Sequence, residues 1–383
     1  MRRQRWVLFI HLNLILLITK GFGQEHVKVQ YEENKYAGWP ANSGMWSWEN
    51  EILVGYTYSN HRKIEGDGHA YDREVSMAKF SRSLDGGRTW KMEDAYVHGI
   101  TEGTWEHHLG EKSISGRKLT KRIDFQNVNF AMNFRMRHET AGGTSFYYTY
   151  DRGRHWEGPF ELQVNFSGPK SVGIVSRTDY IVDGKHSMTA LITVAFDNGA
   201  RNWRQVACVR TDDGGISWKQ LSWIGPEGVN SIMPSTIRLS KNKLLTIIRR
   251  TKPAAMVSYL SEDNGSTWRQ LKDPVQVDAN GHPPALVQLA SGKLCLVYGI
   301  REAATMDSGI GMYVTYSSDQ GITWSTPDLL RGKDGARWDI GYPKAIVRPD
   351  GKVVATYYYN QASSGDPFRY IAATLFDPET SKK

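Results

Sequence analysis

The chain carries the stretch SLDGGRTW at residues 83–90, and four further segments repeat its pattern of Asp, any residue, Gly, any residue, Ser, Thr or His, and Trp. An Asp at a tight turn accepts hydrogen bonds from nearby backbone N–H groups, the Gly supplies a positive φ, and the Trp covers the turn with an apolar face. Successive aspartates lie 50 to 66 residues apart. The five copies are Ser83–Trp90, Thr149–Trp156, Thr211–Trp218, Ser261–Trp268 and Ser317–Trp324.

Strand-like segments precede these turns, such as VSMAKF at residues 75–80 and MYVTY at residues 312–316. Repeated antiparallel units of this length are typical of propeller blades, which cannot bury their faces without neighbours. At this spacing residues 24–383 accommodate six blades, one of them without the turn. The sequence therefore predicts an all-β, six-bladed β-propeller of four-stranded antiparallel sheets, formed as a single domain.

Residues 1–23 combine three early arginines, an apolar run from Trp6 to Ile18 and small residues before Gln24, which is typical of a cleavable secretory signal. A membrane anchor is the alternative, but the apolar run is short and is interrupted by His11 and Asn13. We therefore expect the protein to be secreted or periplasmic, with no membrane association. Of the formal charge of +8, four positive charges lie in this leader, which leaves a mildly basic chain.

A mildly basic chain suits an acidic ligand, whereas no Lys/Arg tract or nucleic-acid module is present, so we expect no nucleic-acid partner. Cys208 and Cys295 lie in apolar strand-like runs, where buried thiols are expected. No set of residues has zinc-ligand spacing and no calcium-loop pattern occurs. The sequence therefore predicts neither a metal site nor another cofactor.

The five turns resemble the Asp boxes of the sialidase (neuraminidase, BNR-repeat) superfamily, and the resemblance covers essentially the whole chain after the leader. In that superfamily these turns lie away from the active site. The resemblance implies a retaining mechanism in which arginines hold a substrate carboxylate, an Asp serves as acid and base, and a Tyr activated by a Glu attacks the sugar. It also implies a carbohydrate partner, and the mildly basic chain favours an acidic oligosaccharide.

Four positions match that catalytic set. Arg62 follows an apolar strand, as does a carboxylate-binding arginine of sialidases, and Arg249 follows the strand-like run 244–248. Asp72, ten residues before Arg82, has nearly the spacing of the acid/base Asp. Tyr342, in the segment Gly341-Tyr342-Pro343, resembles the nucleophile.

Three positions depart from the set. Gly38 stands where the first carboxylate-binding arginine is expected, Met233 stands where the activating Glu is expected, and Gly309 stands where a further arginine is expected. Arg301, Arg135 and Arg177 are candidates to replace the missing arginines, although an isolated arginine is more often a solvated surface residue. The resemblance thus implies a divergent member that lacks part of the sialidase catalytic set.

His61 and His69 lie in the same loop as Asp72, so either could bind substrate or transfer a proton near neutral pH. The leading hypothesis is a glycoside hydrolase that releases a terminal sugar, with Asp72 and Tyr342 as its catalytic pair. A lyase or dehydratase acting on uronic-acid oligosaccharides, with Tyr342 or His69 as the base, is the second. A carbohydrate-binding propeller without catalysis is the third, because part of the sialidase set is missing.

Overall fold

The computed structural model describes residues 23–64, 68–101, 116–137, 142–199, 201–277, 281–301, 309–332, 339–361 and 366–379. Its strands form six small sheets arranged as a six-bladed β-propeller, as the repeat predicts. The expected secretory leader lies outside the described residues except for Gly23, so secretion stays a prediction. None of the helices in the described part of the chain has the length and apolar character needed to cross a membrane.

Within the described residues, the first three blades depart from the predicted four strands and contain five, three and six. Blade 1 contains β2 (Lys35–Gly38), α1 (Pro40–Ser43), β3 (Met45–Trp48), β4 (Glu51–Asn60), β5 (Met77–Ser83) and β6 (Lys91–Asp94). Blade 2 contains β7 (Ala131–Met136), β8 (Thr144–Thr149) and β9 (Glu157–Glu161). Blade 3 contains β10 (Val164–Asn165), β11 (Ser171–Ile174), β12 (Tyr180–Val182), β13 (Met188–Asp197), β14 (Asn202–Thr211) and β15 (Trp218–Ile224).

The remaining blades have four strands each. Blade 4 contains β16 (Ser231–Arg238), β17 (Leu244–Thr251), β18 (Ala254–Ser261) and β19 (Arg269–Gln270). Blade 5 contains β20 (Ala285–Gln288), β21 (Leu294–Ile300), β22 (Gly311–Ser317) and β23 (Asp328–Gly332). Blade 6 contains β24 (Gly341–Val347), β25 (Val353–Gln361), β26 (Asp366–Phe376) and, from the start of the chain, β1 (Glu25–Gln30).

The ring is closed by hydrogen bonds between its two ends, because β1 pairs antiparallel with β26. Apolar clusters fill the spaces between consecutive blades. Trp46, Phe80 and Trp156 pack between blades 1 and 2, whereas Tyr36 and Tyr358 belong to the cluster between blades 1 and 6. Each blade thus buries its faces against its neighbours, which explains why a single blade would not be stable.

The repeated Asp and Trp residues have the predicted structural role. In the first turn the Asp85 carboxylate accepts hydrogen bonds from the Arg88 and Thr89 amides at 3.0 and 2.9 Å, and from the Thr89 hydroxyl at 2.6 Å. Gly87 has a φ of +96°, and the Trp90 indole donates to its carbonyl at 2.8 Å. These turns connect the last two strands of blades 1 to 5, whereas blade 6 carries none.

A buried ion cluster joins blades 1 and 2. The Glu51 carboxylate, 7% exposed as a residue, accepts hydrogen bonds from Arg82 at 2.8 Å, Arg152 at 3.0 Å and Arg154 at 2.9 Å. Arg152 and Arg154 belong to the second repeated turn. Side chains of a turn that is remote in sequence therefore hold the first blade in place.

Candidate active site at the centre of the propeller

Three residues next to prolines on the inner edges of blades 1, 4 and 6 have left-handed backbone conformations. Trp39, Met233 and Tyr342 have φ values of +58°, +55° and +51°, and each precedes a proline. The pairing register shifts at two of these sites, between Ile232 and Pro234 and between Gly341 and Lys344. A positive φ costs a non-glycine residue about 1 kcal/mol or more and persists only where its surroundings hold it, often at functional sites.

Tyr342 lies within a group of arginines. Its hydroxyl accepts a hydrogen bond from Nη1 of Arg249 at 2.9 Å, and the guanidinium carbon of Arg301 lies 5.3 Å from the centre of its ring. Burial would raise the pKa of this phenol, but the positive charges of Arg249, Arg301 and Arg177 outweigh burial and lower the pKa to about 8. Tyr342 therefore loses its proton at a pH only slightly above neutral.

Arg249 and Arg301 are buried, at 8% and 5% exposure, and Arg177 is half-buried. Arg301 donates to the Ile340 carbonyl at 2.9 Å and to the Tyr358 hydroxyl at 3.3 Å. Arg177 donates to the Asn42 side chain at 2.7 Å. The alternative that Arg301 is a solvated surface residue is therefore wrong, because its guanidinium is buried inside the propeller beside Tyr342, and its role in substrate binding stays a prediction.

Arg135 is also buried, at 6% exposure, so the surface alternative is wrong for it as well. Its Nη1 donates to the Ser43 hydroxyl at 3.1 Å, at the end of α1. No described contact joins Arg135 to Tyr342. Arg135 thus supports the α1 turn of blade 1 from blade 2, and its assignment as a substrate-binding residue stays a prediction.

Met233 lies beside this group, with its sulfur 3.9 Å from Nη1 of Arg249. Met233 occupies the position at which sialidases are expected to carry the activating Glu. Its thioether therefore lies next to Arg249, the hydrogen-bond partner of Tyr342. A guanidinium, not a carboxylate, forms the described hydrogen bond to the phenol.

His69 connects the first blade to the last. Its Nδ1 lies 2.6 Å from Oδ1 of Asp339, a residue with 0% exposure, and the same oxygen accepts a hydrogen bond from the Tyr358 hydroxyl at 2.8 Å. The Tyr358 ring lies 5.9 Å from the Tyr342 ring. His69 is thereby linked to the Tyr342 group through two buried residues.

A recess of about 570 Å³ adjoins His69 and is also lined by Arg62 and Asp72. The Asp72 carboxylate accepts a hydrogen bond from the Glu74 amide at 3.1 Å, and Arg62 is exposed. His61 packs edge-on against Phe368, with 5.0 Å between ring centres. No described contact joins Arg62, Asp72 or His61 to Tyr342, so their proposed roles stay predictions.

Asp179 is a site residue that was not among the candidates predicted from the sequence. It is half-buried, accepts a hydrogen bond from the Thr236 hydroxyl at 2.8 Å and lines a small cavity with Arg177, Met233 and Lys344. Burial raises its pKa to about 6, although the Lys344 charge and Thr236 oppose the rise. No group of three or more His, Cys, Asp or Glu suited to hold a metal ion occurs among the described residues.

The model of a known domain family, the BNR repeat-like domain, matches residues 128–355. The chain belongs to the BNR repeat-like domain family. The match begins just before β7 and ends within β25, so it extends from blade 2 into blade 6. A search of curated proteins found no match.

Solved structures of the same fold cover most of this BNR repeat-like chain. A protein of unknown function from Dyadobacter fermentans is 20% identical with a TM-score of 0.67, covering 92% of this chain and 98% of its own. A Hadza microbial sialidase is 15% identical with a TM-score of 0.61, covering 91% of this chain and 66% of its own. An α-L-arabinofuranosidase from Fusarium graminearum is 12% identical with a TM-score of 0.57, covering 92% and 99%.

At these identities the likeness establishes the sialidase-like propeller fold and leaves the reaction open. The BNR repeat-like model does not cover the first blade, where Arg62, His69 and Asp72 lie. The roles of the site residues therefore rest on the geometry described above.

Proposed function

We propose that this BNR repeat-like protein is a secreted glycoside hydrolase that releases a terminal sugar from an acidic glycan. The observation that carries the proposal is the hydrogen bond between Arg249 and Tyr342 inside a group of three arginines. Guanidinium groups bind carboxylates through paired hydrogen bonds, which suits an acidic sugar. The sialidase and arabinofuranosidase among the structural relatives support action on a sugar.

In this scheme the Tyr342 oxygen attacks the anomeric carbon while the leaving oxygen takes a proton from the recess that holds His69 and Asp72. The bond from the anomeric carbon to the leaving oxygen breaks, and a sugar linked to the phenol forms. Water then attacks the same carbon and transfers one proton back to the recess residue, and Tyr342 is released as the phenolate that began the reaction. Arg249 stabilises the phenolate of Tyr342 by its positive charge. It thereby replaces the Glu that the sialidase pattern uses as a general base.

A lyase is the second candidate, and the same hydrogen bond favours it. With a pKa of about 8, Tyr342 in its phenolate form can remove the proton next to a uronate carboxylate, while the arginines stabilise the enolate that forms. Elimination then breaks the bond to the leaving oxygen, which takes a proton from the Tyr342 hydroxyl, and no water is added. Its product carries a new carbon–carbon double bond that absorbs ultraviolet light.

Mass spectrometry of products from a panel of sialylated, uronate-containing and neutral oligosaccharides distinguishes the candidates. Hydrolysis gives a terminal sugar whose formation adds one water, and we expect this outcome with acidic members of the panel. An unsaturated product without added water would support the lyase. Binding of glycans without any product would contradict both and support a carbohydrate-binding propeller.

A further inference from the structure

The Asp339 carboxylate is fully buried and yet has three charged or polar partners. Its Oδ1 lies 2.6 Å from His69 Nδ1 and 2.8 Å from the Tyr358 hydroxyl, and its Oδ2 lies 3.2 Å from Nε of Arg369. Burial would raise the pKa of this group, but His69, Arg369 and Tyr358 outweigh burial and lower it. Asp339 is therefore an ionised acceptor, because a buried carboxylate needs such partners to stay charged.

An ionised acceptor fixes the tautomer of the histidine. The nitrogen that faces the carboxylate carries the proton, so Nδ1 donates to Asp339 and Nε2 is the proton-accepting atom of the neutral ring. The ring is held edge-on to Trp39, with 4.7 Å between ring centres. Its side chain is 29% exposed and lines the recess of about 570 Å³. The imidazole is thus oriented by Asp339 and forms part of the wall of the recess.

Asp339 is also connected to the Tyr342 side chain through Tyr358 and Arg301. Tyr358 donates to the carboxylate and accepts a hydrogen bond from Arg301 at 3.3 Å, and Arg301 lies over the Tyr342 ring. One buried carboxylate therefore fixes both the histidine at the recess and an arginine beside the candidate nucleophile. Asp72, which lines the recess together with Glu74, instead accepts a hydrogen bond from the Glu74 amide of its own loop, a contact typical of a turn.

We infer that His69 is the proton-transferring residue of this site and that Asp339 is its positioning residue. The inference deepens the proposed hydrolase and rests on it. His69, protonated on both nitrogens, gives the Nε2 proton to the leaving oxygen while Tyr342 bonds to the anomeric carbon. The neutral ring then takes a proton from the attacking water, which restores the starting state. Asp339 stays ionised throughout and transfers no proton.

A double-mutant cycle with H69Q and D339N tests the inference on the acidic oligosaccharide that wild type cleaves best. We expect each single variant to lower kcat by roughly 10²- to 10⁴-fold with a small change in KM. The double variant should lose no more than H69Q, within about threefold, because Asp339 acts through His69. D350N is the matched control, since it removes an exposed carboxylate of the same blade that pairs with Arg348, and it should retain wild-type kcat.

Proton NMR of protein labelled with ¹⁵N-histidine supplies a readout that a purely structural role for Asp339 would not move. We expect a downfield Nδ1–H resonance in wild type that is absent in H69Q and shifted upfield in D339N. Thermal unfolding of all variants checks that the losses are not due to misfolding. If D339N unfolds, Y358F replaces it and should lower kcat while leaving the histidine resonance in place.

The outcomes separate this inference from the function on which it rests. Turnover by H69Q within threefold of wild type, or losses that add in the double variant, would overturn the inference while the hydrolase stands. Turnover without the downfield resonance would overturn the pairing with Asp339. No turnover by wild type on any glycan would overturn the hydrolase, and the catalytic role of His69 with it.

Discussion

Nη1 of Arg249 lies 2.9 Å from the hydroxyl of Tyr342, and the two residues are brought together from blades 4 and 6. The thioether of Met233 lies beside the same guanidinium, where sialidases are expected to carry the activating Glu. A phenol paired with a carboxylate becomes a better nucleophile by losing a proton to it. A phenol paired with a guanidinium becomes a better nucleophile because the positive charge stabilises its phenolate form.

This relationship predicts that one tyrosine ionises well below the others. Difference absorbance of tyrosinate as a function of pH should show one residue titrating near pH 8, because the pKa of Tyr342 is lowered to about 8. R249Q should move this step to higher pH by removing the nearest positive charge. R250Q is the matched control, since Arg250 donates to the Pro253 carbonyl at 3.0 Å and makes no described contact with Tyr342; its titration should match wild type. A wild-type protein without a step below pH 9 would contradict the assignment.

An acidic ligand should raise the pKa of Tyr342. A carboxylate bound by the same arginines neutralises part of the charge that stabilises the phenolate, so the pKa of Tyr342 should move upward from about 8. The same absorbance titration with and without a non-cleaved acidic sugar measures the shift. A neutral sugar of the same size is the control and should leave the midpoint unchanged. Equal midpoints with both sugars, at saturating concentrations, would show that the arginines do not hold the acidic group.

The repeated turns should stabilise the fold without affecting the site. D213A removes hydrogen bonds from the Ser217 amide at 3.0 Å and the Ser217 hydroxyl at 2.6 Å, so the free energy of unfolding should fall by roughly 1–3 kcal/mol. Asp212, the adjacent residue, is exposed and its described ion pairs are with Arg210 and Lys219, so D212A should cost under about 1 kcal/mol. Denaturant unfolding of both variants compares the two carboxylates within one turn. Equal losses would contradict the role of the repeated Asp.

The stabilisation contributed by Asp213 in the same turn should decrease as the pH falls. Burial would raise the pKa of Asp213, but the hydrogen bonds from Ser217 and Thr211 outweigh burial and lower it. A lowered folded-state pKa means that this stabilisation is complete above the unfolded value near 4 and is lost as the pH falls through the folded value. The difference in stability between wild type and D213A should therefore shrink below about pH 4. A difference that stays constant down to pH 2 would indicate that the charge of Asp213 is not involved.

Glu51 should be the most sensitive charged residue of the interface between blades 1 and 2. E51Q removes the negative charge that pairs with Arg152 and Arg154 and replaces one of the two acceptor oxygens by an NH2 group, whereas Arg82 keeps its pair with Glu93 at 2.8 Å. We expect the free energy of unfolding to fall by about 1–3 kcal/mol, measured by denaturant titration. E49Q, on the exposed side of the same hairpin, should change it by less than about 0.5 kcal/mol. An E51Q variant as stable as E49Q would show that the cluster contributes little.

The blades could be predicted from the sequence because each repeated turn is a local structure. Asp85 and Thr89 are four residues apart, so their hydrogen bonds follow from the order of residues in one segment. The closure of the ring by β1 could not be predicted in this way. Its pairing with β26 joins residues more than 340 positions apart, and no periodic signal marks Glu25–Gln30 as the partner.

Part of the candidate site could likewise be predicted from the sequence and part could not. Arg249 and Tyr342 were found because both match a known catalytic pattern, whereas Asp339 and Asp179 follow no motif and are recognised only by what surrounds them. Arg301 was one of several possible replacements, and only the arrangement of the blades around the axis places it beside Tyr342. One signal was available in the sequence, because Trp39, Met233 and Tyr342 all precede a proline. Their shared left-handed backbone marks the inner edge of three blades.

The turnover number of Y342F on an acidic oligosaccharide that wild type cleaves tests the central claim most directly. Replacing the hydroxyl that accepts the Arg249 hydrogen bond with hydrogen should lower kcat by about 10³-fold or more while binding and thermal stability stay close to wild type. Y316F, a matched loss of one tyrosine hydroxyl outside the central group, should retain wild-type kcat. A Y342F variant that releases the sugar at the wild-type rate would contradict the account.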